Sequence, residues 1–138
     1  MNTESERMDV DKDDPAQDSE MNELSHAVIG AAFEVSNVLG IGFLEKVYEN
    51  ALAREIRIRG HKAEQQKELE IDYKGEAVGN YSPDIVVDDK LIVELKVARE
   101  LDEIHLAQCL NYLKATGYRV CLLMNFYNKK VQIQRIVM

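Results

Sequence analysis

Several things are missing from this sequence, and each absence narrows what it encodes. No apolar run approaches the roughly eighteen residues that span a bilayer, so no membrane segment is expected. The first residues are acidic, with no basic stretch leading into an apolar one, so a secretory signal is not expected. There are only two cysteines, Cys109 and Cys121, each in an apolar setting. With no CxxC and no Cys/His metal spacing, zinc is not expected either, and the pair reads as buried free thiols of a cytoplasmic protein. There is no internal repeat. Nor is there an excess of basic charge: the net charge is −8. Residues 1–20 hold eight acidic side chains against Arg7 and Lys12, so −6 of that charge lies there and −2 on the other residues. A nearly neutral remainder neither supports nor excludes a nucleic-acid partner.

What is present is enough for one packed domain: 138 residues, 46% of them apolar. Residues 1–20, with Pro15 and almost no large apolar side chain, read as a disordered acidic tail, and residues 21–138 as the domain. From Asn22 a helical period runs through Leu24, Val28, Ala31, Ala32, Val35, Val38 and Leu39, closed by Gly40 and Gly42. A second helix is expected from about Leu44 to Arg59, with Leu44, Val47, Tyr48, Ala51, Leu52 and Ile56 as its apolar stripe and Gly60 as its stop. The period then becomes two. Residues 63–73, 76–87 and 90–97 read as three strands. Asp102 is placed to cap a helix ending at Gly117, with Leu106, Leu110 and Leu113 facing the sheet. Residues 118–126 and 130–137 read as a final hairpin. The predicted order is α-α-β-β-β-α-β-β, an α/β domain around a central mixed sheet flanked by helices.

The chemistry concentrates in residues 83–96. Along Leu91-Ile92-Val93-Glu94-Leu95-Lys96, alternation puts Ile92, Glu94 and Lys96 on one face. Two opposite charges in an apolar strand are costly unless paired or bound to a metal. A two-residue loop at Asp88-Asp89 would set Asp84 opposite Val93; a three-residue loop ending at Lys90 would set it opposite Glu94. Pro83 lacks an N–H and marks a bulge or an unpaired position there. Two carboxylates suit a hard cation such as Mg²⁺, and a lysine beside them can orient water or stabilise charge on a phosphoryl group. Acidic-x-Lys occurs three times, at Asp72, Asp88 and Glu94, and only the last lies inside an apolar strand. An ordinary cross-strand ion pair accounts for the same residues. His105, Gln108 and Tyr112 form a polar stripe on the third helix. Glu45 starts the second helix, where it either complements the dipole or reaches a metal through water.

Four separated stretches carry a family resemblance: Gly42-Phe43-Leu44-Glu45-Lys46-Val47-Tyr48, then Pro83-Asp84, then Glu94-Leu95-Lys96, then the run from Gln108 to Gly117. Together these resemble the GxxExxY family, a branch of the PD-(D/E)XK nuclease superfamily, over roughly residues 21–137. The resemblance implies a restriction-endonuclease-like fold. It implies Asp84 and Glu94 as Mg²⁺ (or Mn²⁺) ligands, Glu45 as an accessory acid at that metal, Lys96 as the catalytic lysine and Gln108 as an orienting residue. The expected activity is hydrolysis of a nucleic-acid phosphodiester bond, with DNA the expected substrate. Arg54, Arg57, Arg59 and Lys62 could supply a phosphate-binding patch. The alternatives are a non-catalytic binding or assembly module that keeps the fold, or a subunit of a larger nuclease. A homodimer through the final hairpin or the first helix is compatible with the sequence.

Overall fold

A computed structural model describes residues 15–138 of the chain, with side chains from Asp18 onward. The acidic segment through Asp14 lies outside the described residues. Its expected continuation to Glu20 is corrected: helix α1 (Pro15–Leu39) starts at Pro15. Proline is well suited to a helix's first turn, where its missing N–H would have no partner anyway. Asp18 then sits in the first turn and pairs with Arg119 at 3.4 Å. Among the described residues no helix is long and apolar enough to cross a membrane.

Helix α2 (Glu45–Ile58) follows. The two expected strands at 63–73 and 76–87 are each broken in two. They form β1 (Ala63–Gln65), β2 (Leu69–Tyr73), β3 (Glu76–Tyr81) and β4 (Ile85–Val87). The break after Gln65 has a local cause, since Gln66 takes a positive φ of 56° and turns the chain. The second break falls at Ser82 and Pro83, where proline cannot donate to a ladder. Then come β5 (Leu91–Lys96), α3 (Glu103–Thr116), β6 (Val120–Asn125) and β7 (Gln132–Val137).

Five strands form the central sheet in the order β1-β4-β5-β6-β7. β5 and β6 run parallel, joined by α3, and the other neighbours are antiparallel. β2 and β3 pair only with each other and stand apart as a second, two-stranded sheet. One face of the main sheet is covered by α1 and α2, whose Leu24, Val28, Tyr48, Leu52 and Ile56 meet Leu91, Val93 and Leu95. The other is covered by α3, with Cys109 and Leu113 on Ile92, Cys121 and Leu123. Both thiols are free and buried, as expected.

Some predicted stripes shift. Leu44 and Val38 are 79% and 70% exposed, because both lie near the α1–α2 turn beyond the reach of the sheet. Leu110 is 40% exposed, and Cys109 rather than Leu110 lines the α3 contact. Asp102 caps α3 as expected, accepting from the Ile104 and His105 N–H groups, and Gly117 ends it at φ 84°.

Candidate active site

The β4–β5 hairpin pairs Ile85 with Val93, Val86 with Ile92 and Val87 with Leu91. This is the three-residue-loop alternative, and its continuation sets Asp84 opposite Glu94. Regular pairing stops at Ile85, just past the buried Pro83. At that broken end the Leu95 N–H donates to Asp84 Oδ2 at 2.8 Å, a side chain replacing a strand partner. The Asp84 carbonyl accepts from the Gln66 N–H at 3.1 Å. Asp84 is thus held through both its backbone and its carboxylate.

Glu94 and Lys96 lie on the α3 face of β5, both half-buried among buried neighbours. The Glu94 carboxyl lies close enough to Asp84 to feel its charge. Burial first, and the Asp84 charge second, push the Glu94 pKa up to about 8. The Tyr81 hydroxyl donates to Glu94 Oε2. Burial and the Glu94 charge raise the Tyr81 pKa as well, so the phenol keeps its proton. Glu45, in the first turn of α2, lies close enough to feel both Asp84 and Lys96, and its pKa is raised chiefly by burial and then by Asp84.

Asp84, Glu94, Lys96 and Glu45 therefore converge, drawn from the β3–β4 connection, β5 and α2. Gln108 is exposed on α3 and, among the described residues, donates no hydrogen bond to these carboxylates. Its neighbours on the predicted polar stripe have other tasks. His105 completes the cap of α3 and Tyr112 stacks on Tyr81. A cavity of about 580 Å³, lined in part by Asp18, Lys90, Arg119 and Arg135, lies where β5 begins and includes none of the four convergent residues.

Sequence reasoning missed several residues. Glu49, one turn after Glu45, is only 3% exposed. Its carboxylate accepts from Lys46 at 3.1 Å and from Gln65 at 2.9 Å, and Gln66 reaches it at 3.3 Å. The i,i+4 spacing of Glu45 and Glu49 was a readable signal that both share a helix face. Asn125, fully buried beside Lys96, clamps Ala98 through both its amide nitrogen (2.7 Å) and its oxygen (3.1 Å). An asparagine ending the apolar run Val120–Met124 was its only trace in the sequence. Tyr81 had no such trace, because its partner lies across the fold.

The naming stretch from Gly42 to Tyr48 divides its labour. Gly42 adopts a φ of 104°, which favours glycine. Tyr48 is fully buried, stacks on Phe126 at 4.8 Å and donates to the Gly40 carbonyl at 2.6 Å. Glycine and tyrosine shape the turn and anchor it, and only Glu45 faces the site.

The donor set suits a hard divalent cation. Among the described residues no three His, Cys, Asp or Glu side chains form a group that could enclose an ion. A close pair of carboxylates is nonetheless the usual protein share of a Mg²⁺ site, the ion keeping waters and taking substrate oxygens for the rest. The mutual repulsion of Asp84 and Glu94 is what such a cation would relieve.

No curated protein matches the chain. Among solved structures it is similar to an alkaline exonuclease (LHK-Exo) from Laribacter hongkongensis, at 16% identity and a TM-score of 0.48, over 92% of this chain and 72% of that one. The family profile of the PD-(D/E)XK nucleases matches residues 22–136, most of the chain and all of the elements that build the site. A mixed sheet flanked by helices, carrying these carboxylates, is the restriction-endonuclease-like fold, and the chain belongs to the PD-(D/E)XK nuclease superfamily.

Proposed function

We propose that this protein is a divalent-metal-dependent nuclease of the GxxExxY branch, hydrolysing a phosphodiester bond in nucleic acid, with DNA the expected substrate. The observation that carries the reading is the hairpin register that sets Asp84 opposite the half-buried Glu94, with Lys96 on the same face of the same strand. PD-(D/E)XK nucleases are generally divalent-metal dependent. Asp84 and Glu94 would hold Mg²⁺ or Mn²⁺, which when bound supplies Lewis acidity at a phosphoryl oxygen and a more acidic water. Asp84 Oδ2 accepts from the Leu95 N–H at 2.8 Å and Oδ1 from the Gln66 side-chain amide at 3.5 Å, so Oδ1 is the less tightly held oxygen for this task. Lys96 orients the attacking water and stabilises negative charge building on the phosphoryl group. Glu45 would accept a hydrogen bond from a water bound to such a cation. Gln108, at the exposed surface of α3, would orient the substrate rather than the carboxylates.

The test is incubation with labelled single- and double-stranded DNA and RNA in Mg²⁺ or Mn²⁺. Cleavage is expected, and its loss in Glu94→Ala and in Lys96→Ala. Cleavage that survives either substitution overturns the mechanism.

One observation favours a second reading, a nuclease subunit that relies on a partner for substrate binding. Three of the four residues of the expected basic patch are engaged internally. Arg57 donates twice to the Ala63 carbonyl (2.6 and 3.1 Å), Arg59 pairs with Glu55 at 3.0 Å and Lys62 with Asp89 at 3.3 Å. Calorimetric Mn²⁺ binding without cleavage by the isolated chain would select this reading.

A further inference from the structure

Glu94 is held by a residue outside the superfamily motif. Tyr81 is the last residue of β3 and pairs with Leu69 across the small hairpin. Its ring lies flat on Tyr112 of α3, with centroids 3.6 Å apart and planes 17° from parallel. Tyr81 and Leu69 both pack against the core formed by Ile92, Cys109, Leu113 and Cys121. The hydroxyl at the end of that wedged ring donates to Glu94 Oε2.

We propose that Tyr81 is a positioning residue for the metal site, its hydroxyl fixing Oε2 of Glu94 so that Oε1 is turned to a divalent cation shared with Asp84, with Tyr112 as the brace that fixes Tyr81. The inference rests on the reading of Asp84 and Glu94 as metal ligands. A glutamate has three side-chain torsions, and the Asp84 charge favours rotamers that swing its carboxylate away. A hydrogen bond from a phenol to a carboxyl oxygen is directional, so it selects one orientation, and it becomes charge-assisted once that carboxyl ionises. The stacked ring cannot follow if Glu94 rotates. The arrangement is therefore in place before an ion arrives, as precise sites require. Hydrogen bonds onto ligating carboxylates commonly contribute about 10- to 100-fold in metal affinity.

A half-buried tyrosine also needs a partner for its hydroxyl on stability grounds alone, so the experiment must read more than stability. Mn²⁺ is titrated calorimetrically into the full chain and into Tyr81→Phe, Tyr112→Ala and Tyr73→Phe. Tyr73 belongs to the same hairpin but is 61% exposed, and serves as the control. Tyr81→Phe keeps the stacked ring and is expected to weaken Mn²⁺ binding about 10-fold or more, with cleavage restored by excess Mn²⁺. Tyr112→Ala removes the brace and is expected to weaken binding by a smaller factor; Tyr73→Phe should bind as the unsubstituted chain does. Unchanged Mn²⁺ affinity in a folded Tyr81→Phe overturns the inference while leaving the nuclease reading standing. Should Tyr81→Phe fail to fold, unchanged affinity in Tyr112→Ala overturns it instead. Absence of Mn²⁺ binding by the unsubstituted chain removes the metal-site reading, and this inference with it.

Discussion

The β4–β5 and β2–β3 hairpins are built from similar material. Each mixes apolar and charged residues, each turns through residues of positive φ (Asp88 and Asp89; Lys74 and Gly75), and each carries an acidic-x-Lys triplet that begins within a strand. Their surroundings differ. β5 lies between β4 and β6, with helices over both faces, and four of its six residues are buried. β3 pairs with β2 alone, and five of its six residues are exposed. In the outer hairpin Asp72 and Lys74 are exposed, where water meets the cost of both charges. In the inner one Glu94 is half-buried within reach of the Asp84 charge, and its carboxyl is pushed up to about 8. The same triplet is ordinary surface in one hairpin and a candidate metal site in the other. Burial makes the difference, not the motif.

The comparison breaks most visibly in activity. Glu94→Ala or Lys96→Ala should lower the cleavage rate by about 10²- to 10³-fold or more. Asp72→Ala and Lys74→Ala should leave it within about twofold. A large loss from the outer triplet would show that the hairpins share the site after all.

Stability against pH gives the next largest contrast. The Glu94 pKa is raised in the folded protein, so the metal-free fold binds a proton more tightly than the unfolded chain does. Its contribution to stability is fully present below about pH 4.5 and is lost as pH rises through about 8. The change is no more than about 5 kcal/mol over that window. Denaturant unfolding of the metal-free chain should show the decline, and Glu94→Gln should flatten it. Saturating Mg²⁺ should offset it, because the ion binds the deprotonated carboxylate. Asp72→Asn should leave the profile as it was. A profile unaffected by Glu94→Gln would mean that the carboxylate is solvated.

The smallest effect belongs to the outer turn. Gly75 sits at φ 85° with open space around its Cα. Gly75→Ala should cost about 1 kcal/mol of strain. Amide exchange should quicken in residues 69–81, with little change in β5.

How much of this was legible can be argued residue by residue. Proline at position 83 marked an unpaired position, and the ladder does stop beside it. The alternation in β5 placed Glu94 and Lys96 on one face, as found. The hairpin register stayed open between two loop lengths, because Asp88, Asp89 and Lys90 are all compatible with either. The structure adopts the longer loop, with the Asp88 carboxylate accepting from the Lys62 N–H at 2.8 Å and contacting His61 Nδ1 at 2.8 Å. Those partners are more than twenty-five residues away and could not be inferred from the turn. The division of residues 63–87 into four strands was equally hidden. Each half has strand-like composition, and only its partner decides which sheet it enters.

By itself the sequence determined the local terms: alternation in β5, the Asp102 cap, the Gly117 stop, and a Pro-Asp one hairpin arm ahead of Glu-x-Lys. These follow from bonded geometry and from hydrogen bonds a few residues long, so they can be read from neighbours in the chain. Only the tertiary structure decided that Glu94 is half-buried rather than fully solvated, that Tyr81 holds it, that Glu45 comes near from a helix, and that Arg57 and Lys62 are engaged elsewhere. Charge, desolvation and contact depend on what lies within a few ångströms in space, and in this fold those neighbours come from distant parts of the chain.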